Sequence, residues 1–219
     1  MNIAIAVDGP AGAGKSTISK AAAERLGFLY IDTGAMYRAA ALYVVEHGKD
    51  AANEDDVKLL LPEIDIDLRD GKVYLCGDDV TGKIRTPEIS VASSNIAVFP
   101  CVRNKLCALQ REMAKRQSVI MDGRDVGTYV LPDAEVKVFL TTSAEVRAQR
   151  RLKELQEKGI ESSYDEVLSD IQYRDKNDST RKMAPLKKAD DAVELDTGNL
   201  TIDESIEALI SIYKEKTNA

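Results

Sequence analysis

A glycine-rich turn near the start of the chain constrains its fold more than any other stretch. The run GPAGAGKS at residues 9–16 fits the pattern G-x-x-x-x-G-K-[ST]. It follows a short apolar run, residues 3–7, which predicts a buried strand, and it opens a helical pattern that ends near Gly27. A strand, a glycine-rich turn and a helix in this order predict a phosphate-binding loop within an α/β fold.

The chemistry of such a loop is that of nucleotide phosphates. Its backbone N–H groups can converge on phosphate oxygens, and the helix N-terminus adds partial positive charge. Lys15 is expected to reach the β- and γ-phosphates, and Ser16 to hold Mg²⁺, mostly through ATP and water. The alternative is a glycine-rich turn that binds nothing. We predict that ATP is bound by nine residues: Gly9, Pro10, Ala11, Gly12, Ala13, Gly14, Lys15, Ser16 and Thr17.

The hydrophobic pattern predicts alternating strands and helices along most of the chain. FLYIDTG, VIMD, VKVFLTT and AVELDT are short apolar runs typical of buried strands, and helical patterns separate them. We predict one domain, a five-stranded parallel sheet with helices on both faces. A hairpin pattern around Asp70-Gly71 and an arginine-rich stretch after residue 146 interrupt this order. The predicted parts are a core at 1–61, 99–146 and 183–219, an insert at 62–98 and a helical lid at 147–182.

Composition argues against several classes of protein. The 219 residues carry a formal net charge of −7, whereas duplex nucleic-acid binders usually carry a basic surplus, so we expect no nucleic-acid partner. Three cysteines and a single histidine fit neither a zinc site nor a histidine-based triad. The cysteines suit a reducing compartment, and neither a secretory signal nor a membrane span is evident. We expect a cytoplasmic protein without a membrane partner and, in the absence of an exposed apolar heptad, a monomer.

Polar side chains follow three of the predicted strands, at 8–9, 32–34 and 122–125. Because the carboxyl ends of parallel strands share one edge of a sheet, we expect these groups to converge on one crevice beside the phosphate loop. The third group, in the run DGRDVG, could by itself be a salt-bridged turn. At the end of a strand it predicts a ligand site, with Asp122 ending the strand and anchoring either the turn or the water shell of a metal.

Two further stretches add arginines. Tyr37 and Arg38 lie one helical turn beyond the second strand end, and a ring beside an arginine suits an acceptor that carries a base and a phosphate. The alternatives are a core aromatic and a solvated helix residue. In RDKNDSTR, spacings of four and three predict that Arg174, Asp178 and Arg181 share one helix face. We expect a mobile lid that brings arginines onto transferring phosphates, the alternative being an exposed salt-bridged helix.

These features favour a small-molecule kinase over other phosphate-loop proteins. A regulatory GTPase needs N-K-x-D after a strand, and the chain has no such run. A kinase needs an acceptor pocket and a way to exclude water, and the strand ends and the lid are candidates for both. Two rivals stay open: a phosphate-loop kinase for another monophosphate or a small alcohol, and a regulatory or RNA-binding nucleotide binder without turnover.

Six stretches in this order resemble the bacterial cytidylate kinases: DGPAGAGKST, DTGAMYRA, IRTPEIS, FPCVR, MDGRDVGTYVLPDA and KADDAVELDT. The resemblance covers nearly the whole chain, and the second and fifth stretches are more specific than the phosphate loop. It implies the fold of phosphate-loop nucleoside monophosphate kinases, with a nucleotide-binding insert and a lid. It also implies phosphoryl transfer from MgATP to CMP or dCMP.

The resemblance also implies roles for individual residues. Catalysis falls to Lys15, Arg124 and Arg181. Thr33 stands where some members have serine, so a hydroxyl is kept. The acceptor residues implied are Thr33, Arg103 and Asp125 for cytosine, Ser94 near the nucleoside, Tyr37, Arg174 and Asp178 near the sugar, and Arg38, Arg124 and Arg181 for phosphate.

Cytosine chemistry agrees with these roles, because a carboxylate can accept from N4 while an arginine and a hydroxyl can donate to N3 or O2. Uracil would place O4 against Asp125, which should disfavour UMP.

Overall fold

The computed structural model describes residues 2–69, 71–157 and 159–218. The chain divides into two compact units, the first formed by Met1–Tyr30 and Gln117–Ala219 and the second by Ile31–Arg116. No helix in the described ranges is long and apolar enough to cross a membrane.

The secondary structure alternates between strands and helices at both ends of the chain. The strands are β1 Ala4–Asp8, β2 Leu29–Asp32, β3 Ile66–Arg69, β4 Lys72–Leu75, β5 Asp78–Asp79, β6 Val119–Gly123, β7 Val136–Thr141 and β8 Val193–Asp196. The α-helices are α1 Lys15–Leu26, α2 Thr33–Glu46, α3 Glu54–Leu60, α4 Pro87–Ile96, α5 Pro100–Arg116, α6 Ala144–Glu157, α7 Tyr164–Thr180 and α8 Ile202–Thr217.

The first unit is organised around a five-stranded parallel sheet in the order β2-β6-β1-β7-β8. β1 is central and fully paired, so its apolar side chains are buried on both faces, as is typical of parallel strands. Ile5 and Val7 of β1 share a core with β6, β7, α1 and α8. Tyr213 of α8 packs edge-on against Phe28, with ring centroids 5.6 Å apart. The predicted parallel α/β fold is confirmed.

The sheet order places the end of β6 next to the end of β1. Along the register, Val7 faces Asp122 and Asp8 faces Gly123, so the DGRDVG run leaves the sheet directly beside the phosphate loop. A short π-helical turn, Val126–Val130, follows that run. The adjacency of β1 and β6 therefore brings together two stretches that lie more than a hundred residues apart in sequence.

Residues of the second unit form α2 to α5 and a small three-stranded antiparallel sheet in the order β3-β4-β5. β3 and β4 pair as the hairpin pattern predicts, although Asp70, on which that pattern was centred, lies outside the described residues. The third strand, β5, has two residues and was not predicted, because Asp78 and Asp79 have low strand propensity. That residues 62–98 act as a nucleotide-binding insert and residues 147–182 as a lid stays a prediction.

Candidate functional site

The phosphate loop has the backbone that its glycines allow. Gly9 has φ 151°, and a Cβ there would lie 2.0 Å from the carbonyl oxygen of Leu140. Gly14 caps α1 with φ 87°, in the left-handed region that a side chain disfavours. Nζ of Lys15 donates to the carbonyl oxygen of Pro10 at 2.8 Å. Burial and, secondarily, Arg124 lower the pKa of Lys15 to about 7.

Asp122 links β6 to the start of α1. One of its carboxylate oxygens accepts from Oγ of Ser16 at 3.0 Å, and the other accepts from the hydroxyl of Tyr30, also at 3.0 Å. Asp122 is buried. The sequence did not predict this contact: Asp122 anchors the serine of the phosphate loop. Hydroxyl and carboxylate oxygens are ligands that Mg²⁺ accepts, directly or through water.

Arg124 forms a largely buried ion pair with Asp178 of α7, with 2.7 Å between Nε and Oδ2. Burial opposes the charge of the guanidinium, but Asp178 and Asp122 outweigh it, and the pKa of Arg124 is raised. Burial likewise opposes the charge of Asp178, and Arg124, Arg181 and Arg174 together lower the pKa of that carboxyl. The turn and α7 are therefore joined by fully charged groups.

Arg181 pairs with Asp125, at 2.8 Å between its terminal nitrogen and Oδ1. The prediction that Arg181 shares a helix face with Arg174 and Asp178 is wrong, because α7 ends at Thr180 and Arg181 has an extended backbone (φ −61°, ψ 142°). The hydroxyls of Ser179 and Thr180 bond back to carbonyls of the preceding turn, at 2.7 Å and 2.7 Å. This side-chain bonding competes with continuation of the helix. The exit turns the guanidinium towards Asp125.

Asp8 lies in this region, and the sequence predicted no individual role for its side chain. Its carboxylate accepts hydrogen bonds from the backbone N–H of Val126 and of Gly127, each at 2.7 Å. The side chain is buried, and burial raises its pKa to about 6. The available signal was the position of Asp8 at a strand end, but its partners 118 and 119 residues away follow only from the strand order.

Arg147 of α6 is a second residue that sequence reasoning missed. It is buried and donates to the carbonyl oxygen of Ala11 in the phosphate loop at 2.9 Å and to that of Thr142 at 3.2 Å. Its remaining nitrogen lies 2.7 Å from Asp175 of α7. Arg147 therefore connects the phosphate loop, the start of α6 and the helix that carries Arg174 and Asp178. The sequence showed it only as one arginine among several in a charged stretch.

In the second unit, Asp32 is the centre of a cluster at the start of α2. It caps the helix by accepting from the N–H of Ala35 at 2.8 Å, and it pairs with Arg38 at 3.1 Å. Arg85 approaches the same carboxylate at 3.7 Å. Within the described residues, Nε of Arg38 is buried without a hydrogen-bond partner, which suits a group that binds an anion. Arg85 was not predicted for this cluster.

Arg103 and Tyr37 meet in the same unit. The guanidinium of Arg103, on α5, lies 5.9 Å from the ring centroid of Tyr37 and donates to the carbonyl oxygen of Ala97 at 3.4 Å. Arg103 is 1% exposed, whereas Tyr37 is only half-buried, so the alternative of a core aromatic does not describe it fully. Thr33 is buried in the first turn of α2, and Ser94 is half-buried on α4.

Each unit thus collects part of the predicted set. The first unit holds the phosphate loop together with four residues around two ion pairs: Arg124, Asp125, Asp178 and Arg181. The second unit contains the other predicted residues, of which Arg103 lies against the ring of Tyr37 and Arg38 pairs with Asp32; Thr33 and Ser94 lie on α2 and α4. The arrangement within the first unit offers cations and backbone N–H groups to a polyphosphate.

Comparison with known proteins gives a consistent picture. The sequence model of the family described as cytidylate kinase matches residues 5–215. A cytidylate kinase from Thermosipho melanesiensis is 51% identical over 212 residues, covering 97% of each chain. One from Lactobacillus johnsonii is 50% identical over 216 residues, covering 97% of this chain and 94% of its own. One from Fusobacterium nucleatum is 49% identical over 205 residues, covering 94% of each.

A solved structure extends the comparison to the fold alone. An uncharacterised protein from Eubacterium ventriosum aligns over 100% of both chains with a TM-score of 0.53, at 14% sequence identity.

Proposed function

The chain belongs to the cytidylate kinase family, and we propose that it transfers the γ-phosphoryl group of ATP to CMP or dCMP. The products are ADP and CDP or dCDP. The observation that carries the proposal is the family match over residues 5–215, a span that includes the phosphate loop and the DGRDVG turn beside it.

The acceptor supplies its own nucleophile. An oxygen of the CMP phosphate attacks the γ-phosphorus, the bond from that phosphorus to the β–γ bridging oxygen breaks, and ADP leaves with the electron pair. No side chain has to remove a proton, because the phosphate is already an anion. The protein must instead orient both nucleotides and balance charge on the transferring oxygens.

We propose that Lys15, Arg124 and Arg181 supply this charge. Lys15 lies in the phosphate loop, and both arginines already have carboxylate partners, Asp178 and Asp125. A buried cation without a counter-charge is costly, so these acids balance the charge of the arginines and hold their orientation before nucleotides bind. ATP is held by the loop itself, residues 9–17, through backbone N–H groups and the N-terminus of α1.

The phosphate loop also fits the magnesium ion that accompanies ATP. Ser16 would hold the ion through its hydroxyl, with Asp122, 3.0 Å from that hydroxyl, ordering the ligand or its water. When bound with ATP, Mg²⁺ neutralises charge on the β- and γ-phosphates. The bond from Ser16 to Asp122 orients the hydroxyl in its absence.

For the acceptor nucleotide we propose that Asp125 accepts a hydrogen bond from N4 of cytosine, while Arg103 and Thr33 donate to N3 or O2. The pairing follows from the donor and acceptor pattern of the base, which uracil reverses at two positions. Asp125 is held by Arg181, and Arg103 is packed near Tyr37, so both groups have restricted orientations. The remaining roles are Ser94 near the nucleoside, Tyr37, Arg174 and Asp178 near the sugar, and Arg38, Arg124 and Arg181 at the phosphate.

A coupled assay of ADP release across CMP, dCMP, UMP, AMP and GMP, each with MgATP, tests the proposal. We expect the highest kcat/KM with CMP or dCMP and little turnover with the purine nucleotides. Equal turnover of UMP or AMP would make the chain a kinase of another or broader specificity. Nucleotide binding without CDP formation would instead support a regulatory nucleotide binder.

A further inference from the structure

Asp8 occupies an unusual position in the first unit. It is the last residue of β1 and directly precedes Gly9 of the phosphate loop, yet its side chain leaves the loop and reaches the DGRDVG run. The residue is 4% exposed, and both of its carboxylate oxygens are used, one for the N–H of Val126 and one for the N–H of Gly127. Both distances are 2.7 Å, typical of strong hydrogen bonds to a charged acceptor.

Asp8 contacts the chain on both sides of Arg124 and Asp125. On one side, the parallel register pairs Asp8 with Gly123, the last residue of β6. On the other side, the Asp8 carboxylate holds the backbone at Val126 and Gly127, where the π-helical turn begins. Arg124 and Asp125 are the two residues between. Their backbone is therefore constrained at both ends by a single residue of the neighbouring strand.

The surroundings leave this carboxylate no simple substitute. A Cβ at Gly127 would lie 3.3 Å from Oδ2 of Asp8 and 3.2 Å from Cδ of Lys137, so a larger residue at 127 would crowd the Asp8 carboxylate. Asparagine has one amide oxygen and could satisfy only one of the two donors. Burial makes the negative charge of Asp8 costly and raises the pKa of this carboxyl to about 6. The charge of Asp125 also opposes its ionisation, whereas that of Lys15 favours it.

We propose that Asp8 is a positioning residue for the acceptor nucleotide: by holding the backbone at Val126 and Gly127 it sets the directions of Arg124 and Asp125. This inference rests on the proposed function, in which those two side chains contact the phosphate and the base of CMP. The last residue of β1, directly before the phosphate loop, would therefore contribute to binding of the acceptor nucleotide.

The test is steady-state kinetics of Asp8→Asn at about pH 8, with wild type and Thr201→Ala measured beside it. Thr201 caps α8 by accepting from the N–H of Glu204 at 3.2 Å, so its replacement also removes an acceptor from a backbone donor, but away from the proposed site. For Asp8→Asn we expect KM for CMP to rise about tenfold or more, as loss of a hydrogen bond to a charged group predicts. The preference for CMP over UMP should fall, while KM for ATP changes less than about twofold.

Gly127→Ala provides a second variant in case Asp8→Asn folds poorly. The added methyl group crowds Oδ2 of Asp8 and should produce the same rise in KM for CMP from the other side of the contact. Because both changes act on one contact, the double variant should be less impaired than the product of the two effects.

Three results have distinct meanings. Wild-type protein that makes no CDP overturns the proposed function. Active wild type, with variants that melt earlier but keep KM for CMP and selectivity unchanged, overturns the positioning role alone. A rise in KM for ATP equal to that for CMP would place the effect in the phosphate loop and would also overturn it.

Discussion

Individual charges in the first unit are arranged as pairs rather than as a free cationic patch. Arg124 bonds to Asp178 and Arg181 bonds to Asp125, and all four side chains are at least four-fifths buried. Removing one member of such a pair leaves a buried charge without its partner, which costs more than the pair contributes. Each of these residues therefore affects both the orientation of its partner and the ligand contact proposed for it.

Asp125→Asn should reduce the preference for CMP over UMP. The amide can donate to O4 of uracil, and it no longer provides a full charge for N4 of cytosine or for Arg181. We expect the ratio of kcat/KM values to fall by at least about tenfold. Competition assays with both nucleotides measure it, with Asp203→Asn, an exposed partner of Arg25, as the matched control. Unchanged selectivity would mean that Asp125 only orients Arg181.

Lys15→Ala should act on turnover. Its ammonium group is proposed to follow charge on the transferring phosphoryl group, so we expect kcat to fall by about 10² or more while KM for CMP changes little. Lys20→Ala, at an exposed position of the same helix, provides the comparison. A turnover number equal to that of wild type would refute the assignment of the loop lysine.

Among the secondary-structure elements, α6 and α7 are linked to the phosphate loop by the side chain of Arg147. Arg147 lies in the first turn of α6, donates to the carbonyl oxygen of Ala11 in the loop and pairs with Asp175 of α7. The two helices share a separate small core that includes Ala148, Leu155, Val167 and Ile171. This core keeps the helices together, whereas Arg147 provides the polar link from them to the loop.

Arg147→Met should keep most of the volume of the side chain and remove all three polar contacts. We expect the free energy of unfolding to fall by about 3 kcal/mol, the low end of the range for breaking a buried ion pair, because Asp175 is partly exposed, and we expect KM for ATP to rise. Arg151→Met, one helical turn further along, removes a more exposed pair with Glu154 and should have little effect on either quantity. Urea unfolding and ATP titrations measure both. Equal effects of the two variants would contradict a link specific to Arg147.

At the scale of the whole molecule, the buried charge of Asp8 makes stability depend on pH. Its pKa is 3.8 before burial and about 6 in the folded chain, so folding favours the protonated form. The stabilisation by that proton is fully present below about pH 3.8 and is lost as the pH rises through about 6. An ionised Asp8 at neutral pH therefore lowers overall stability while providing two strong acceptors to the turn.

Wild type should gain stability relative to Asp8→Asn on acidification, because the asparagine side chain does not titrate. Between about pH 7.5 and about pH 4.5 the difference in free energy of unfolding should shift by about 2 kcal/mol in favour of wild type. Urea unfolding of both proteins across this range measures the shift, and other titrating groups largely cancel in the comparison. A constant difference would show that Asp8 has an ordinary pKa.

Features that depend on neighbouring residues could be predicted from the sequence. Glycines at 9 and 14 impose the backbone of the phosphate loop, and apolar runs with helical segments between them lead to a parallel sheet. Thr201 and Glu204, three residues apart, form a capping box at the start of α8. These inferences succeed because a few adjacent side chains decide local φ and ψ and the face that is buried.

Contacts between groups far apart in the sequence depend on the packing of the folded chain. Asp8 reaches the turn at Val126 because β6 lies beside β1, and residue spacing does not encode that strand order. Arg147 reaches Ala11 because α6 packs near the phosphate loop, and Arg181 reaches Asp125 because α7 ends one residue before it. The charged residues in a sequence show which ion pairs are chemically possible. The packing of strands and helices determines which of them form, because an ion pair requires the two charged groups to lie within about 4 Å of each other.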